Sequence, residues 1–186
     1  MLKMKIKGYA IALAVCLLLM AMHTAEAARV GVDEAEVRSV VQRIFQQLKS
    51  GDYDALYDTL PVAQQRRISR ERFTKALGQT RGLYELERME IGAVRTSGDF
   101  AVVDTVMYGR VLRPIQSEGK IVAQQYLVRE DGTWRVATGD RATIQRFLAA
   151  NPTFARKFTL QKSRVYIKRE GRWVDVGSLR MPRGNR

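Results

Sequence analysis

The chain has 186 residues, with 32 Lys and Arg against 19 Asp and Glu and a formal net charge of +13. That length suits one ordinary domain with an extension, and it is enough to bury a hydrophobic core. The single cysteine and the single histidine, Cys16 and His23, lie within the first 27 residues. The rest of the chain therefore has no disulfide, Cys/His zinc site, cysteine nucleophile or Ser-His-Asp triad. The sequence contains no glycine-rich phosphate loop or nucleotide fingerprint, and no cofactor or metal is predicted.

Residues 1–27 have the pattern of a signal peptide. Three lysines in the first seven residues precede an apolar run over residues 9–22, and Ala25-Glu26-Ala27 supplies the small residues of a cleavage site. The run, roughly 14 residues long, is short for a membrane span, which needs about 20. We predict cleavage after Ala27, export to the periplasm or the exterior, and no transmembrane span in the mature chain. An uncleaved anchor and a lipid anchor at Cys16 are the less favoured alternatives.

The first part of the mature chain has helical periodicity. Asp33 caps a predicted helix that runs to Lys49 and ends at Gly51. Its apolar side chains recur at the spacing of one helix face: Val37, Val40, Val41, Ile44, Phe45 and Leu48. A buried first helix is therefore predicted.

Two shorter helices are predicted after it. Asp52 can cap the first of them, which is halted by Pro61. A basic polar segment over residues 64–67 leads to Ser69, which can cap the second. The predicted domain thus begins with three helices.

From residue 83 the period changes from 3.6 to 2, which indicates strands. We predict strands over residues 83–95, 100–113 and 121–129, with turns at 97–99 and 117–120. The Asp131-Gly132 pair then predicts a hairpin that leads into a final strand carrying Trp134, a residue expected to pack on the helices. Helices followed by four meandering antiparallel strands indicate an α+β fold.

This pattern resembles the nuclear transport factor 2-like superfamily, which includes SnoaL-like polyketide cyclases, limonene epoxide hydrolase-like and ketosteroid isomerase-like proteins. The resemblance covers residues 33–140 and rests on Gly51-Asp52-Tyr53-Asp54 and on the Gly132-x-Trp134 hairpin. It implies a cystatin-like cone, in which a curved antiparallel sheet wraps three N-terminal helices around a pocket. It also implies a homodimer through the outer sheet face. We place this domain at residues 28–140.

Residues 141–186 are predicted to form a C-terminal extension. A helix over residues 141–150 is stopped at Asn151, and Phe154 and Phe158 follow in a basic linker. A second β-hairpin over residues 164–176 repeats Tyr, Arg-Glu, Gly and Trp of the first hairpin, with one turn residue deleted. Duplication and convergence both explain the repeat, and convergence is favoured. The last residues are predicted to be a disordered tail.

The basic charge belongs to this extension. Residues 28–140 contain 17 Lys and Arg against 16 Asp and Glu, a net of +1, whereas residues 141–186 contain 12 against 2, a net of +10. Because export is predicted, anionic envelope material is favoured over nucleic acid as the partner, and the alternative is a solvated surface without a specific partner. The predicted partner surface is Arg164, Lys168, Arg169, Arg172 and Trp173.

Acid–base chemistry would have to use Asp, Glu, Tyr or Lys. A ketosteroid isomerase-like site would pair a carboxylate base with a Tyr donor, although no residue aligns with those family positions. Strand alternation places Asp104 and Tyr108 on one face, about 13 Å apart at 3.3 Å per residue. That face is either a pocket wall or the solvated or dimer-facing side of the sheet. Further candidates for pocket walls are Tyr57, Tyr84, Gln124 and Trp134.

Two functions follow from these observations. The favoured one is an exported, non-enzymatic domain that binds a ligand or a protein, with a basic extension that contacts anionic envelope material. The alternative is a small-molecule isomerase, dehydratase or cyclase that uses a carboxylate and a Tyr in the cone.

Overall fold

A computed structural model describes residues 31–113, 116–138 and 141–178 of the chain. The predicted signal peptide, its cleavage site and the tail beyond Ser178 lie outside the described residues. By its internal contacts the chain divides into two compact units, Met1–Ala35 and Glu36–Arg186. The second unit contains the sheet, the hydrophobic clusters and the cavities described below.

Four helices precede the sheet in the described residues. Helix α1 covers residues 31–50, and three shorter helices follow it: α2 (Tyr53–Asp58), α3 (Val62–Gln65) and α4 (Arg70–Gly78). Asp52 and Ser69 cap α2 and α4 as predicted, because their side-chain oxygens accept hydrogen bonds from first-turn amides at 3.2 and 3.3 Å. Helix α3 was not predicted. Its first amide, that of Val62, donates to Glu130 Oε2 at 2.9 Å, a long-range contact that no local pattern reveals.

Six antiparallel strands form one sheet in the described residues. After α4 the elements are, in chain order, β1 (Tyr84–Ser97), β2 (Phe100–Val111), β3 (Ser117–Glu130), β4 (Thr133–Ala137), α5 (Arg141–Ala150), α6 (Phe154–Lys157), β5 (Arg164–Arg169) and β6 (Arg172–Asp175). The order across the sheet is β1-β2-β3-β5-β6, and β4 also pairs with β3. The prediction of an α+β fold is confirmed.

Strand β3 joins the extension to the main sheet. One of its edges pairs with β2, while the other pairs with β5 over residues 119–122 and with β4 over residues 126–130. The predicted turn at 117–120 is wrong, because these residues are the start of β3. Their turn-like composition is overridden by pairing on both sides, and Gly119 lies opposite Gly109 of β2.

The inner face of the sheet packs against α1. Ala101 and Val103 of β2 and Trp134 and Val136 of β4 are buried there with the predicted apolar face of the helix. The buried side chains of α1 in this cluster are Val37, Val40, Val41 and Ile44. The apolar face of α1 and the inward-facing side chains of β4 therefore pack in one core, as the sequence predicts.

The outer face of the sheet is partly covered by an aromatic cluster around Phe154. This side chain is fully buried, and the rings of Phe100, Tyr126, Phe147 and Phe158 surround it at centroid distances of 5.1 to 5.5 Å. The prediction that Phe154 and Phe158 lie in a linker is therefore wrong, since both are core residues. Burial in this cluster also raises the pKa of the Tyr126 phenol.

The two hairpins have the same turn. Asp131 and Gly132 have φ of 50° and 74°, and Glu170 and Gly171 have φ of 50° and 76°. Two central residues with positive φ are typical of a two-residue type I′ loop, whose twist matches that of the flanking strands. The two turns therefore correspond residue for residue, Asp131 to Glu170 and Gly132 to Gly171, without the deletion that the sequence repeat implied. The sequence alignment that matches Glu130 with Glu170 is wrong, because Glu130 ends β3 whereas Glu170 lies in a turn.

Candidate functional site

The space between α1 and the inner sheet face is almost filled by side chains. A cavity of about 70 Å³ remains there, and its lining residues are Val41, Ile44, Phe45, Leu48, Met89, Met107, Gln125, Val136 and Thr138. Small-molecule sites usually have volumes of about 300–1,000 Å³. None of the described residues that line it has a titratable side chain, and its volume lies below that range.

Asp104 lies on the opposite, outer face, the same face as Val102 of the aromatic cluster. Its two carboxylate oxygens accept hydrogen bonds from both terminal nitrogens of Arg95, at 2.8 and 2.9 Å. Gln124 donates a third hydrogen bond to Asp104 at 3.0 Å and accepts one from the amide of Gln161 at 2.8 Å. Gln124 thus links the sheet to the chain that leads into β5.

The surroundings of Asp104 keep its carboxylate charged. The hydrogen bonds from Arg95 lower the pKa of Asp104 below its ordinary value, with a smaller contribution from Gln124, and they outweigh the opposing effect of burial. A general base near neutral pH needs a raised pKa and an accessible lone pair. The pKa of Asp104 is lowered instead, and both of its oxygens already accept hydrogen bonds, so its geometry is that of a structural ion pair.

Tyr108 also lies on the outer face, where polar and aromatic groups surround it. The guanidinium of Arg88 lies 3.6 Å from the Tyr108 ring centroid, and the Tyr108 hydroxyl donates to Glu90 at 3.1 Å. The ring of Trp173 from β6 makes an edge contact with it at 6.4 Å. Tyr108 is therefore a neighbour of the C-terminal hairpin.

The hairpin β5–β6 continues this outer surface. The ammonium group of Lys120 in β3 lies 4.7 Å from the Trp173 ring and 5.1 Å from the Tyr166 ring. Lys168 lies 6.0 Å from the Trp173 ring and pairs with Glu118 at 2.8 Å. Interleaved cations and aromatic rings from β2, β3, β5 and β6 thus form one surface, which we call the hairpin surface.

The remaining members of the predicted partner surface lie at the exposed parts of the hairpin. Arg164 opens β5, and Arg169 and Arg172 flank the turn at its tip. All three are exposed. Neither Arg169 nor Arg172 forms an ion pair with any of the described residues. The structure therefore brings the five predicted residues together on one hairpin, where strand alternation puts Arg164, Lys168 and Trp173 on one face and Arg169 and Arg172 on the other.

The four candidates for pocket walls have other positions. Trp134 is buried in the inner core, and Gln124 belongs to the outer network around Asp104. The Tyr57 hydroxyl lies 2.9 Å from two backbone carbonyl oxygens at and just after the end of α3, those of Gln65 and Ile68. Tyr84 is 39% exposed. None of the four lines the cavity beside α1 or the larger cavity between the α3–α4 region and α5.

A larger cavity, of about 710 Å³, lies between the α3–α4 region and α5. We call it the arginine cleft, because Arg67, Arg72 and Arg146 line it. Its remaining lining residues are Leu60, Pro61, Ala63, Gln64, Ile68, Phe73, Ala76, Leu77, Val128, Glu130, Thr138, Thr143, Phe147, Ala150 and Asn151. This cleft was not predicted from the sequence. The basic segment at residues 64–67 was the available signal, but its opposite wall lies about 80 residues later in the chain.

Two further observations concern the described residues. They contain no group of three or more His, Cys, Asp or Glu residues placed to hold a metal ion. No helix among them has the length and hydrophobicity needed to cross a membrane.

Comparison with known proteins gives matches among solved structures only. No protein-family model matches the chain, and no curated protein matches its sequence. Among the solved structures that match is a Campylobacter jejuni protein named "Putative NTF2-like transpeptidase", at 11% identity and a TM-score of 0.38, over 53% of this chain and 94% of that one. This match assigns no residue, ligand or reaction to this chain.

Proposed function

We propose that this protein is an exported, non-enzymatic binding domain whose hairpin surface contacts anionic envelope material. The observation that carries the proposal is the position of the hairpin. Strand β5 pairs with β3, and Trp173 contacts Tyr108 of β2, so the basic hairpin is held on the sheet. A lone hairpin is marginally stable in water, whereas a docked one presents its charges in a fixed arrangement.

The charge of the extension supports this proposal. The described part of the extension, residues 141–178, has nine Lys and Arg against two acidic residues, a net of +7. Lys168 is partly neutralised by Glu118, but Arg169 and Arg172 extend from the tip. Basic groups attract an anionic surface over a Debye length of about 8 to 10 Å. Trp173 adds an amphipathic ring of the kind enriched at membrane interfaces.

The alternative function, an isomerase, dehydratase or cyclase, gains no support from this geometry. Its named carboxylate, Asp104, is engaged by Arg95 on the outer face, and Tyr108 lies on that same face. The inner cavity has a volume of about 70 Å³ and no titratable lining residue. The binding function therefore fits the described residues better.

We further propose that α1, α2 and α4 occupy the concave side of a cystatin-like cone. Register shifts in β1, between Leu86 and Arg88 and between Ile91 and Val94, support a bent sheet, because bulges bend strands. A homodimer through the outer face would have to use the part that the Phe154 cluster leaves uncovered. Sedimentation velocity at increasing protein concentration tests for it.

The partner proposal is tested with vesicles. Protein is expressed from the full chain, and mass spectrometry of the recovered product establishes whether cleavage occurred after Ala27. Co-sedimentation then compares phosphatidylglycerol-containing vesicles with neutral phosphatidylcholine vesicles. The test variant combines Arg164→Gln, Arg169→Gln and Arg172→Gln, and the control combines Arg43→Gln, Arg66→Gln and Arg81→Gln, three exposed arginines outside the hairpin surface and the arginine cleft, which changes the net charge equally.

We expect binding to anionic vesicles only, with an affinity that falls as salt is raised. Each basic group near an anionic surface contributes about 1 kcal/mol, so the hairpin variant should bind at least about tenfold more weakly. The control should lose much less. Equal losses in both variants would show that only net charge matters, and binding that is insensitive to salt would contradict the proposal. The same assay with isolated cell-wall material in place of vesicles tests whether the anionic partner is a cell-wall component.

A further inference from the structure

The arginine cleft has the size and composition of a ligand site, and the hairpin proposal leaves it unused. Its volume of about 710 Å³ lies within the usual range of about 300–1,000 Å³ for small-molecule sites. The lining comes from three parts of the chain: residues 60–77, the ends of β3 and β4, and α5. The cleft therefore exists only because α5 of the extension lies opposite α3 and α4.

Much of the wall is apolar. Leu60 and Phe147 are almost fully buried, with 1% and 6% of their surface exposed, and both line the cleft. Phe73 and Leu77 of α4 and Val128 of β3 contribute further apolar surface. The partly exposed Phe73, Leu77 and Val128 favour a ligand with an apolar body, because covering their remaining apolar surface is favourable by about 25 cal/mol per Å².

The charged groups of the wall are unbalanced. Arg67, Arg72 and Arg146 line the cleft, and among the described residues the single lining carboxylate is Glu130. That carboxylate is already engaged, since it accepts a hydrogen bond from the amide of Val62 at 2.9 Å and pairs with Arg135 at 3.3 Å.

Within the described part of the chain, these three arginines form no ion pair with an acidic side chain. Arg67 and Arg72 form no ion pair with any described residue, and Arg146 donates to the hydroxyl of Thr143 at 3.1 Å. Three cations around one cavity repel each other, and an anion bound between them would relieve that repulsion. Guanidinium groups also match the geometry of carboxylate, sulfonate and phosphate oxygens.

We propose that the arginine cleft binds a small amphiphilic anion. Its apolar body would lie against the wall formed by Leu60, Phe73 and Phe147, and its anionic group would be held by guanidiniums of Arg67, Arg72 and Arg146. This site is separate from the hairpin surface and does not depend on the function proposed for it.

A matched pair of fluorescent probes tests the proposal on the full-length product. Anilinonaphthalene sulfonate carries an apolar body and one anionic group, and N-phenylnaphthylamine has the same body without the charge. Both probes are titrated against the wild type and two variants. The cleft variant combines Arg67→Gln, Arg72→Gln and Arg146→Gln, and the hairpin variant combines Arg164→Gln, Arg169→Gln and Arg172→Gln. Circular dichroism first shows that each protein is folded. A fourth protein, Ala76→Phe, fills the cleft without changing charge.

We expect saturable binding of the sulfonate to the wild type. The cleft variant should bind the sulfonate at least about tenfold more weakly, while its affinity for the neutral probe should change by less than about twofold. Ala76→Phe should weaken both probes, and the hairpin variant should bind both normally. Displacement by monomeric dodecanoate would indicate a free amphiphile as the ligand, and displacement by phosphatidylglycerol vesicles would indicate a lipid headgroup. The absence of saturable binding by the wild type, or equal sulfonate affinity in the wild type and the cleft variant, would overturn the proposal.

Discussion

Substituting Phe154 by Ala tests whether the extension is an integral part of the fold. The side chain is fully buried, and four aromatic rings lie within 5.1 to 5.5 Å of its ring. A buried Phe covers about 150–250 Å², of which the phenyl ring accounts for more than half. At about 25 cal/mol per Å², losing that group costs about 3 kcal/mol, and the remaining cavity raises the total to about 3–5 kcal/mol. A domain is typically stable by only about 5–15 kcal/mol, so the Phe154→Ala protein should be marginal.

The assay is urea unfolding at equilibrium, followed by far-ultraviolet circular dichroism and tryptophan fluorescence. Trp134 reports on the inner core and Trp173 on the C-terminal hairpin, so coincident transitions would show that both regions unfold together. Arg156→Ala, an exposed change in the same helix, is the control and should cost less than about 0.5 kcal/mol. A loss below about 1 kcal/mol for Phe154→Ala, or an early transition limited to the hairpin signal, would refute the integral packing of the extension.

Two further predictions concern the sheet. Asp104→Asn should cost about 1 kcal/mol or less at neutral pH, because the paired carboxylate is 37% exposed and solvent screens it. Because the pKa of Asp104 in the folded protein lies below the ordinary value of 3.8, its ion pair contributes to the free energy of unfolding above that value. This contribution is lost as the pH falls through the folded pKa. Acid titrations of unfolding should therefore show that the wild type loses more stability than Asp104→Asn between about pH 5 and pH 2. Gly109→Ala should cost roughly 1–3 kcal/mol in urea unfolding, because an added Cβ would overlap the carbonyl oxygen of Glu85 in the neighbouring strand. The helical Gly78→Ala, where the added carbon meets nothing within 4 Å, should instead stabilise by about 0.5–1 kcal/mol, and similar losses at both sites would contradict the close approach at Gly109.

Local features of the sequence predicted most of the elements. The caps at Asp52 and Ser69 and the apolar face of α1 depend on spacings of three or four residues, and both are observed. The hairpin turns depend on adjacent residues that tolerate positive φ, as at Asp131-Gly132 and Glu170-Gly171. The concentration of basic charge after residue 140 is likewise a property of the sequence itself. These features were predictable because the interactions behind them act over a few residues.

Tertiary structure decided the site. Alternation along β2 separates Asp104 from Val103 but does not say which face meets the helices, and packing turned Asp104 outward to Arg95. The sequence around Phe154 is typical of a linker, and only the tertiary structure shows that this side chain packs on the outer face of the sheet. The arginine cleft combines Arg67 and Arg146, which are 79 residues apart in the chain, and no local pattern brings such residues together. The sequence alone determined the elements and the charge asymmetry, whereas long-range packing decided which side chains meet.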